Sequence, residues 1–148
     1  MNYTFRLLSK NDYEQYFQLI NEFRSTNYTK EQFVHFLEEN ENENENENKN
    51  KNIHIWVIEI NNELIASGTI LYETKLIHNI SLYAHIEDII VSSKYRKKGY
   101  GLILLNELVD VCKKNNSYKI LLDCQEELIK FYEKSGFKKN GSQMVLKW

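Results

Sequence analysis

The chain has 148 residues, 42% of them hydrophobic, which is enough apolar material for one domain with its own core. Its 19 basic and 21 acidic residues give a net charge of -2, which lacks the basic excess of proteins that bind nucleic acid or anionic membranes. The spacing of Cys112 and Cys124 fits neither a zinc site nor a disulfide framework, so we expect buried free thiols and no metal. Since no targeting segment or spanning apolar stretch is visible, we expect a soluble cytoplasmic protein.

The N-terminal part of the sequence predicts one strand and two helices. Residues 3–8 predict the strand, and apolar residues at helical spacing predict a helix over residues 10–23. Thr29 is a suitable N-cap for the second helix, because Gln32 stands three residues later and can complete a capping box.

Residues 38–52 differ in composition from the rest of the chain. They alternate Glu with Asn and then Lys with Asn, and they contain no apolar residue. Such a segment cannot bury enough surface to offset the entropy of ordering. We therefore expect a single domain over residues 1–148 that carries a disordered surface insert at residues 38–52, rather than two domains joined by a linker.

The remainder of the chain predicts alternating strands and helices. Asn61 and Asn62 favour a tight turn, so the strands beside them should form a hairpin. The predicted strands cover residues 53–60, 63–72, 85–91 and 118–124, the helices cover 99–114 and 126–135, a loop covers 75–84, and a last strand or hairpin falls within 137–147. The unit at 85–124 has the length of a parallel crossover, but it lacks the glycine fingerprint of a dinucleotide fold and the Gly-Lys-Ser/Thr of a P-loop.

The start of the helix at residue 99 predicts a phosphate-binding loop. Glycine lets the backbone approach an anion closely, and a helix start adds unpaired N–H groups and the positive end of the helix dipole. The alternative is a plain helix-entry turn with solvated lysines. The loop consists of Arg96, Lys97, Lys98, Gly99, Tyr100 and Gly101.

Several segments in order resemble the GNAT acyltransferases, and within them the glucosamine 6-phosphate N-acetyltransferase family. Arg96, Gly99 and Gly101 match the acetyl-CoA motif of GNATs. The segments HIEDI, YKILLDC and FYEKSGF, at 85–89, 118–124 and 131–137, match the narrower family, and residues 53–148 are covered well. The resemblance implies an α+β fold with a mixed, V-shaped central sheet flanked by helices. It also implies acetyl-CoA bound where the sheet splits, and a homodimer in which the C-terminal strand crosses the interface.

The same resemblance implies roles at the acetyl end of the site. Tyr132 would donate a proton or hydrogen bond to the leaving thiolate, and Asp123 would position the reacting groups. The main chain of Ile89, Ile90 and Val91 would pair with the pantetheine arm, beside the phosphate-binding loop. The alternatives are that Tyr132 is an ordinary core tyrosine and that Asp123 is only an acid at the end of a strand. For residues 89–91 the alternative is an ordinary core strand. The family commonly has Asn where this chain has Leu128.

Six further residues match positions that contact the acceptor in this family. Glu87 and Asp88 would contact the sugar; as neighbours on a strand they should face opposite sides, and in a central strand they should not both be exposed. Ordinary salt bridges are the alternative for these two acids, and a surface role is the alternative for each of the other four residues. The substrate phosphate would be held by Lys75, His78, Tyr118 and Lys119.

The sequence therefore predicts an acetyltransferase that acts on a small amino sugar phosphate. The expected reaction moves acetyl from acetyl-CoA to the amine of D-glucosamine 6-phosphate. The product would feed UDP-N-acetylglucosamine synthesis. The rivals are a GNAT enzyme for another amine, such as a polyamine or a protein N-terminus, and a non-catalytic module that binds CoA.

Overall fold

A computed structural model describes residues 2–41 and 52–148 as a five-stranded sheet with helices on both faces. The strands follow one another in sequence order across the sheet. The first four are antiparallel, and the fifth runs parallel to the fourth. Their bounds are β1 Thr4–Leu7, β2 Ile53–Ile60, β3 Glu63–Lys75, β4 Ser81–Val91 and β5 Lys119–Leu121. The mixed sheet and the parallel crossover between β4 and β5 are as predicted.

The helices have the bounds α1 Tyr13–Phe23, α2 Lys30–Glu41, α3 Ile77–Ile80, α4 Tyr100–Lys114 and α5 Ile129–Glu133. Short 3-10 helices precede α1, α4 and α5, at Lys10–Asp12, Ser93–Tyr95 and Glu126–Leu128. The predicted capping box of α2 is present: Thr29 Oγ1 accepts a hydrogen bond of 3.2 Å from the Gln32 amide, and Gln32 Oε1 accepts one of 2.8 Å from the Thr29 amide.

Helix α2 extends four residues into the segment that was predicted to be disordered. Residues 38–41 are helical, so that prediction was wrong for them, and residues 42–51 lie outside the described part of the chain. The buried side chains of Phe33 and Leu37 fix the helix against the domain. Once a helix is nucleated, each further residue adds a backbone hydrogen bond at little extra cost, so Glu and Asn can continue it.

The core has two layers, one on each face of the sheet. Val57 and Ile58 are neighbours on β2 and are both fully buried, because they point to opposite faces. Val57 belongs to the layer under α1 and α2, which also contains Tyr16, Phe33 and Leu37. Ile58 belongs to the larger layer under α4, which contains Ile65, Ile70, Ile86, Leu104, Leu105 and Leu108. Burial of aliphatic side chains on this scale, at about 2 kcal/mol each, holds α4 on the sheet.

The β3–β4 hairpin is longer than the sequence analysis predicted. Residues 75–84 were expected to be a loop, yet Lys75 pairs with Ser81 and Glu73 pairs with Tyr83. Only residues 76–80 connect the strands, and His78, Asn79 and Ile80 have positive φ angles of 55°, 60° and 58°. Pairing between the two strands overrides the mixed local pattern, since strand preference depends on cross-strand neighbours.

The end of the chain is less regular than predicted. Strand β5 covers only Lys119–Leu121 of the expected 118–124. No strand follows β5 in the part of the chain that the structure describes, so the expected last strand or hairpin within 137–147 is absent there. Met144, Val145, Leu146 and Trp148 are exposed. These side chains have no neighbouring strand to cover them within this one chain.

The sheet opens between β4 and β5. The two strands pair only at residues 83–85 and 119–121, whereas β4 continues for six residues to Val91. Beyond His85, the edge of β4 on this side is therefore unpaired within the sheet. This opening gives the sheet the V shape that the family resemblance implies.

Candidate active site

A β-bulge lies on the unpaired part of β4. Ser67 pairs with Ile90 and Thr69 pairs with Glu87, so Asp88 and Ile89 together stand opposite Gly68. Asp88 has a φ of 53°, a conformation that residues other than Gly, Asn and Asp rarely adopt. A Cβ atom at Gly68 would lie 2.6 Å from Leu108 Cδ1, so any larger residue there would displace the buried Leu108 side chain. The bulge interrupts the regular β3–β4 pairing on the part of β4 that β5 leaves unpaired.

The predicted phosphate-binding loop follows β4 and begins α4. Gly99 is the N-cap of α4 with a left-handed φ of 89°, and no side chain caps the helix. The first helical hydrogen bond runs from the Ile103 amide to Gly99 O at 3.1 Å, which leaves the three preceding amides without an acceptor in the helix. A Cβ atom at Gly101 would lie 3.4 Å from Phe131 Cζ. This helix start without a side-chain cap has the donors that a pyrophosphate needs.

Three cationic side chains surround this helix start. Arg96 Nε donates a hydrogen bond of 3.0 Å to Val91 O, and its guanidinium lies 3.9 Å from Glu22. Lys97 has a φ of 60°, and Lys98 Nζ lies 5.4 Å from the centre of the Tyr95 ring. All three side chains are exposed. They add positive charge to a loop whose backbone already favours an anion.

A cavity of about 840 Å³ lies between β5, α5 and the C-terminal segment. Both residues predicted to act at the acetyl end, Asp123 and Tyr132, line it. Burial raises the pKa of Tyr132, and the nearby Cys124 adds to this effect. The Tyr132 side chain is 9% exposed, and its hydroxyl hydrogen-bonds no other described residue. Tyr132 is therefore a protonated donor at neutral pH with no competing acceptor in the described structure.

Asp123 and Cys124 lie beyond the end of β5 and are both exposed. The expectation that both cysteines are buried was therefore right for Cys112 and wrong for Cys124. The reason is that β5 ends at Leu121, so the following residues leave the sheet before they can be covered. Gln143 Nε2 donates a hydrogen bond of 2.9 Å to Asp123 Oδ2. Leu128, which stands where the family commonly has Asn, is 46% exposed at the end of a 3-10 helix.

Glu87 and Asp88 are both exposed, which contradicts the expectation that at least one would be buried. That expectation assumed a strand with neighbours on both sides. The pairing between β4 and β5 ends at His85 of β4. Beyond that residue, β4 has only one neighbouring strand, which is β3. The bulge at Asp88 also breaks the alternation of side chains on which the expectation of opposite faces rested.

The four residues predicted to hold the substrate phosphate lie together near the start of β4. The rings of His78 and Tyr118 stack at 4.4 Å between centroids. Lys75 Nζ and Lys119 Nζ lie 5.1 and 4.8 Å from the centre of the same ring, that of Tyr83. Tyr83 was not among the predicted site residues, because residues 75–84 were expected to be a loop. If a strand had been predicted over residues 81–91, the alternation of its side chains would have placed Tyr83, His85 and Glu87 on one face.

The structure thus arranges the predicted residues in three groups. Lys75, His78, Tyr118 and Lys119 lie near the start of β4, and the phosphate-binding loop follows its end. Asp123 and Tyr132 line the cavity between β5, α5 and the C-terminal segment. Within the described ranges, no three or more His, Cys, Asp or Glu side chains come close enough together to hold a metal ion. Among the same residues, no helix is long and apolar enough to cross a membrane.

Comparison with known proteins agrees with this architecture. The model of the acetyltransferase (GNAT) family matches residues 13–137. Glucosamine 6-phosphate N-acetyltransferase 1 of Dictyostelium discoideum is 34% identical to the chain, across 97% of the chain and 89% of the relative. The glucosamine 6-phosphate N-acetyltransferase of Candida albicans is also 34% identical, across 99% of the chain and 96% of the relative.

The crystal structure of glucosamine-6-phosphate N-acetyltransferase from Arabidopsis thaliana superposes with a TM-score of 0.88 at 30% identity. The match covers 100% of this chain and 99% of the Arabidopsis chain. The open sheet, the uncapped helix start with its glycines and the family match together show that the chain belongs to the acetyltransferase (GNAT) family.

Proposed function

We propose that the protein transfers acetyl from acetyl-CoA to the amine of D-glucosamine 6-phosphate and so supplies N-acetylglucosamine 6-phosphate for UDP-N-acetylglucosamine synthesis. The observation that carries the proposal is the arrangement along β4. A helix start without a side-chain cap, which would bind the pyrophosphate of the cosubstrate, lies at its end, and two lysines that suit the phosphate of the acceptor lie near its start. Both near-full-length relatives named above carry this activity in their names.

The residues present fit acetyl-CoA as the cosubstrate. The amides of the first turn of α4 would bind the pyrophosphate, with Arg96, Lys97 and Lys98 around it and Gly99, Tyr100 and Gly101 allowing close approach. The unpaired edge at Ile89, Ile90 and Val91 would pair with the amide groups of the pantetheine arm, as a peptide adds to a sheet edge. Acetyl-CoA supplies the acetyl group as a thioester.

In the transfer, the acceptor nitrogen bonds to the acetyl carbon, the carbon–sulfur bond breaks, the nitrogen loses a proton and the sulfur gains one. Tyr132 holds a proton at its buried hydroxyl and would donate it, or a hydrogen bond, to the leaving sulfur. Main-chain groups at the bulge would stabilise the negative charge that develops on the carbonyl oxygen. Asp123, held by Gln143 at the cavity wall, would orient the reacting groups.

The acceptor would lie along the open part of β4. Glu87 and Asp88 present exposed carboxylates that can accept hydrogen bonds from sugar hydroxyls or from the amine. Lys75 and Lys119 would bind the 6-phosphate, beside His78 and Tyr118. A cationic polyamine would be repelled at this end, so the lysines favour a phosphorylated acceptor.

Thiol release from acetyl-CoA tests the proposal directly. Purified protein is assayed with glucosamine 6-phosphate, glucosamine, spermidine and peptides with free N-termini. Release that depends on glucosamine 6-phosphate and exceeds that with every other amine is the expected result. Release with a polyamine or a peptide alone would overturn the acceptor. Binding of acetyl-CoA without release for any amine would favour a non-catalytic module.

We also propose that the protein is a homodimer. Support comes from the exposed apolar end of the chain, where Met144 and Leu146 are 92% and 81% exposed, and from the position of β5 at the sheet edge. An exposed edge strand and an uncovered apolar segment each favour pairing with a second chain. Sedimentation equilibrium of the protein, with and without residues 142–148, should show a dimer that depends on this segment. A fully active monomer would contradict the dimer.

We further propose one domain with an inert insert, in a cytoplasmic protein. Cys112 and Cys124 are both free thiols, as is usual in a reducing compartment. Residues 42–51 have a composition that cannot support a core. Replacement of these residues by a Gly/Ser linker of equal length should leave activity and thermal stability unchanged. Loss of activity in the folded variant would show that the insert has a function.

A further inference from the structure

Tyr83 lies where the two lysines of the acceptor end meet. It is the third residue of β4, and its neighbours in register are Glu73 on β3 and Lys119 on β5. Cross-strand neighbours point to the same face, and so does Lys75, two residues beyond Glu73. Tyr83 is only 3% exposed, whereas Lys119 is exposed. The buried ring of Tyr83 therefore lies beneath the two lysine ammonium groups, which are more accessible to solvent.

Both ammonium groups lie within the range of a cation–π interaction with this one ring. The distances to its centre are 5.1 Å for Lys75 Nζ and 4.8 Å for Lys119 Nζ. Lys75 also lies 3.4 Å from Glu73, which is exposed, and Lys119 makes no ion pair with any described residue. A ring attracts a cation without cancelling its charge, unlike a carboxylate. Lys119 therefore keeps its positive charge available for an anion, whereas the Glu73 carboxylate offsets part of the charge of Lys75.

Two further rings extend this surface outward. Tyr118 and His78 lie 5.7 and 6.3 Å from Tyr83 between centroids, with interplanar angles of 21° and 27°. Tyr118 is 53% exposed, so the stack runs from a buried ring to an accessible one. Stacking restricts His78 and Tyr118, and the cation–π contacts restrict Lys75 and Lys119. Long lysine side chains otherwise lose considerable freedom when they bind a ligand.

We propose that Tyr83 is a positioning residue that holds Lys75 and Lys119 together for the 6-phosphate of the acceptor, and so sets the preference for a phosphorylated amino sugar. This rests on the proposed function above. Two ammonium groups near one ring repel each other, and a dianionic phosphate between them removes that repulsion. Restraint of both groups before binding would lower the KM for the phosphorylated acceptor without entering the chemical step.

The first test compares Tyr83→Phe with Tyr83→Leu. Phenylalanine keeps the aromatic face, so KM for glucosamine 6-phosphate should stay within about threefold of wild type, whereas leucine should raise it about tenfold. In both variants kcat, KM for acetyl-CoA and the slower turnover of unphosphorylated glucosamine should stay within about threefold. Equal effects of the two substitutions on KM, or equal losses for the phosphorylated and unphosphorylated acceptors, would overturn the proposal.

A second series removes any dependence on folding of the leucine variant. Tyr83 is replaced by phenylalanine analogues with increasing numbers of ring fluorines, which weaken the negative face of the ring while nearly preserving its shape. KM for glucosamine 6-phosphate should rise stepwise with fluorination, and kcat should not. A flat series would overturn the role of Tyr83. Wild-type protein without thiol release on glucosamine 6-phosphate would instead overturn the proposed function, so the two failures are distinguishable.

Discussion

Gln143 Nε2 lies 2.9 Å from Asp123 Oδ2, and this hydrogen bond ties the C-terminal segment to the wall of the candidate active site. Residues 143 and 123 are both exposed, so the contact is a surface hydrogen bond rather than part of the core. It gives the otherwise irregular end of the chain a defined position beside the cavity. The roles proposed for Asp123 and for the tail are therefore physically linked.

Substitution of Asp123 by Asn should lower kcat by roughly tenfold to a hundredfold, because the side chain keeps its shape but loses the charge near the reacting groups. Affinity for acetyl-CoA, measured by calorimetry, should not change. Gln143→Leu is the matched control: it leaves the carboxylate in place and removes only its partner, so we expect a loss of about threefold. Wild-type kcat in Asp123→Asn would remove Asp123 from the site.

Substitution of Tyr132 by Phe should lower kcat by about a hundredfold and leave the affinity for acetyl-CoA unchanged, because only the proton donor is lost. Burial and Cys124 raise the pKa of Tyr132, so the donor form persists at neutral pH and is lost only as pH rises through that raised pKa. The kcat–pH profile should thus show no loss from this group up to about pH 10. Full activity in Tyr132→Phe would show that the sulfur takes its proton elsewhere.

Gly99 and Gly136 provide a matched pair for testing the phosphate-binding loop. Both have a φ of 89°, and a Cβ atom at either would meet nothing within 4 Å. Alanine at either position should therefore cost a similar amount of stability, about 1–2 kcal/mol, from backbone strain alone. Only Gly99→Ala should also weaken acetyl-CoA binding, by about tenfold, because it displaces the free amides of α4. Equal affinities in the two variants would place the pyrophosphate elsewhere.

Local signals allowed much of the fold to be predicted. The Thr29–Gln32 capping box and the Asn61–Asn62 turn each depend on residues a few positions apart, and both occur as predicted. The glycines at 99 and 101 likewise mark the start of α4 by their own conformational needs. In each case the interaction that fixes the structure is readable within a short window of sequence.

Features set by long-range packing were not predicted. The bulge at Asp88 depends on Gly68, whose backbone passes beneath Leu108 of a helix forty residues later. Glu87 and Asp88 are exposed because β5 ends early, and the end of β5 depends on how β4 and β5 diverge. The contacts of Tyr83 with Lys75 and Lys119 depend on the register of three strands. No window of sequence contains these partners together.

A partly buried ion pair away from the candidate active site stabilises the N-terminal part of the fold. Arg6 forms a hydrogen-bonded ion pair with the buried Asp12, with Nη1–Oδ2 at 2.8 Å and Nη2–Oδ1 at 2.9 Å. Burial raises the pKa of Asp12, but its bonds to Arg6 and to the Ser9 amide more than offset this, so its pKa lies below the usual value. A carboxyl group with a depressed pKa stabilises the fold above its unfolded pKa of about 4. That stabilisation is lost as pH falls through the folded pKa.

Asp12→Asn should therefore lower the free energy of unfolding by about 2 kcal/mol at pH 7. Urea titrations at pH 7 and pH 3 measure the difference, which should be smaller at pH 3, because pH 3 lies below the unfolded pKa of about 4 and protonation there favours the unfolded chain. Glu38→Gln breaks an exposed ion pair with Lys10 and should cost no more than about 0.5 kcal/mol. Two outcomes would show that the charge of Asp12 does not stabilise the fold. One is a loss of unfolding free energy in Asp12→Asn that does not change with pH, and the other is an equal loss in the two variants.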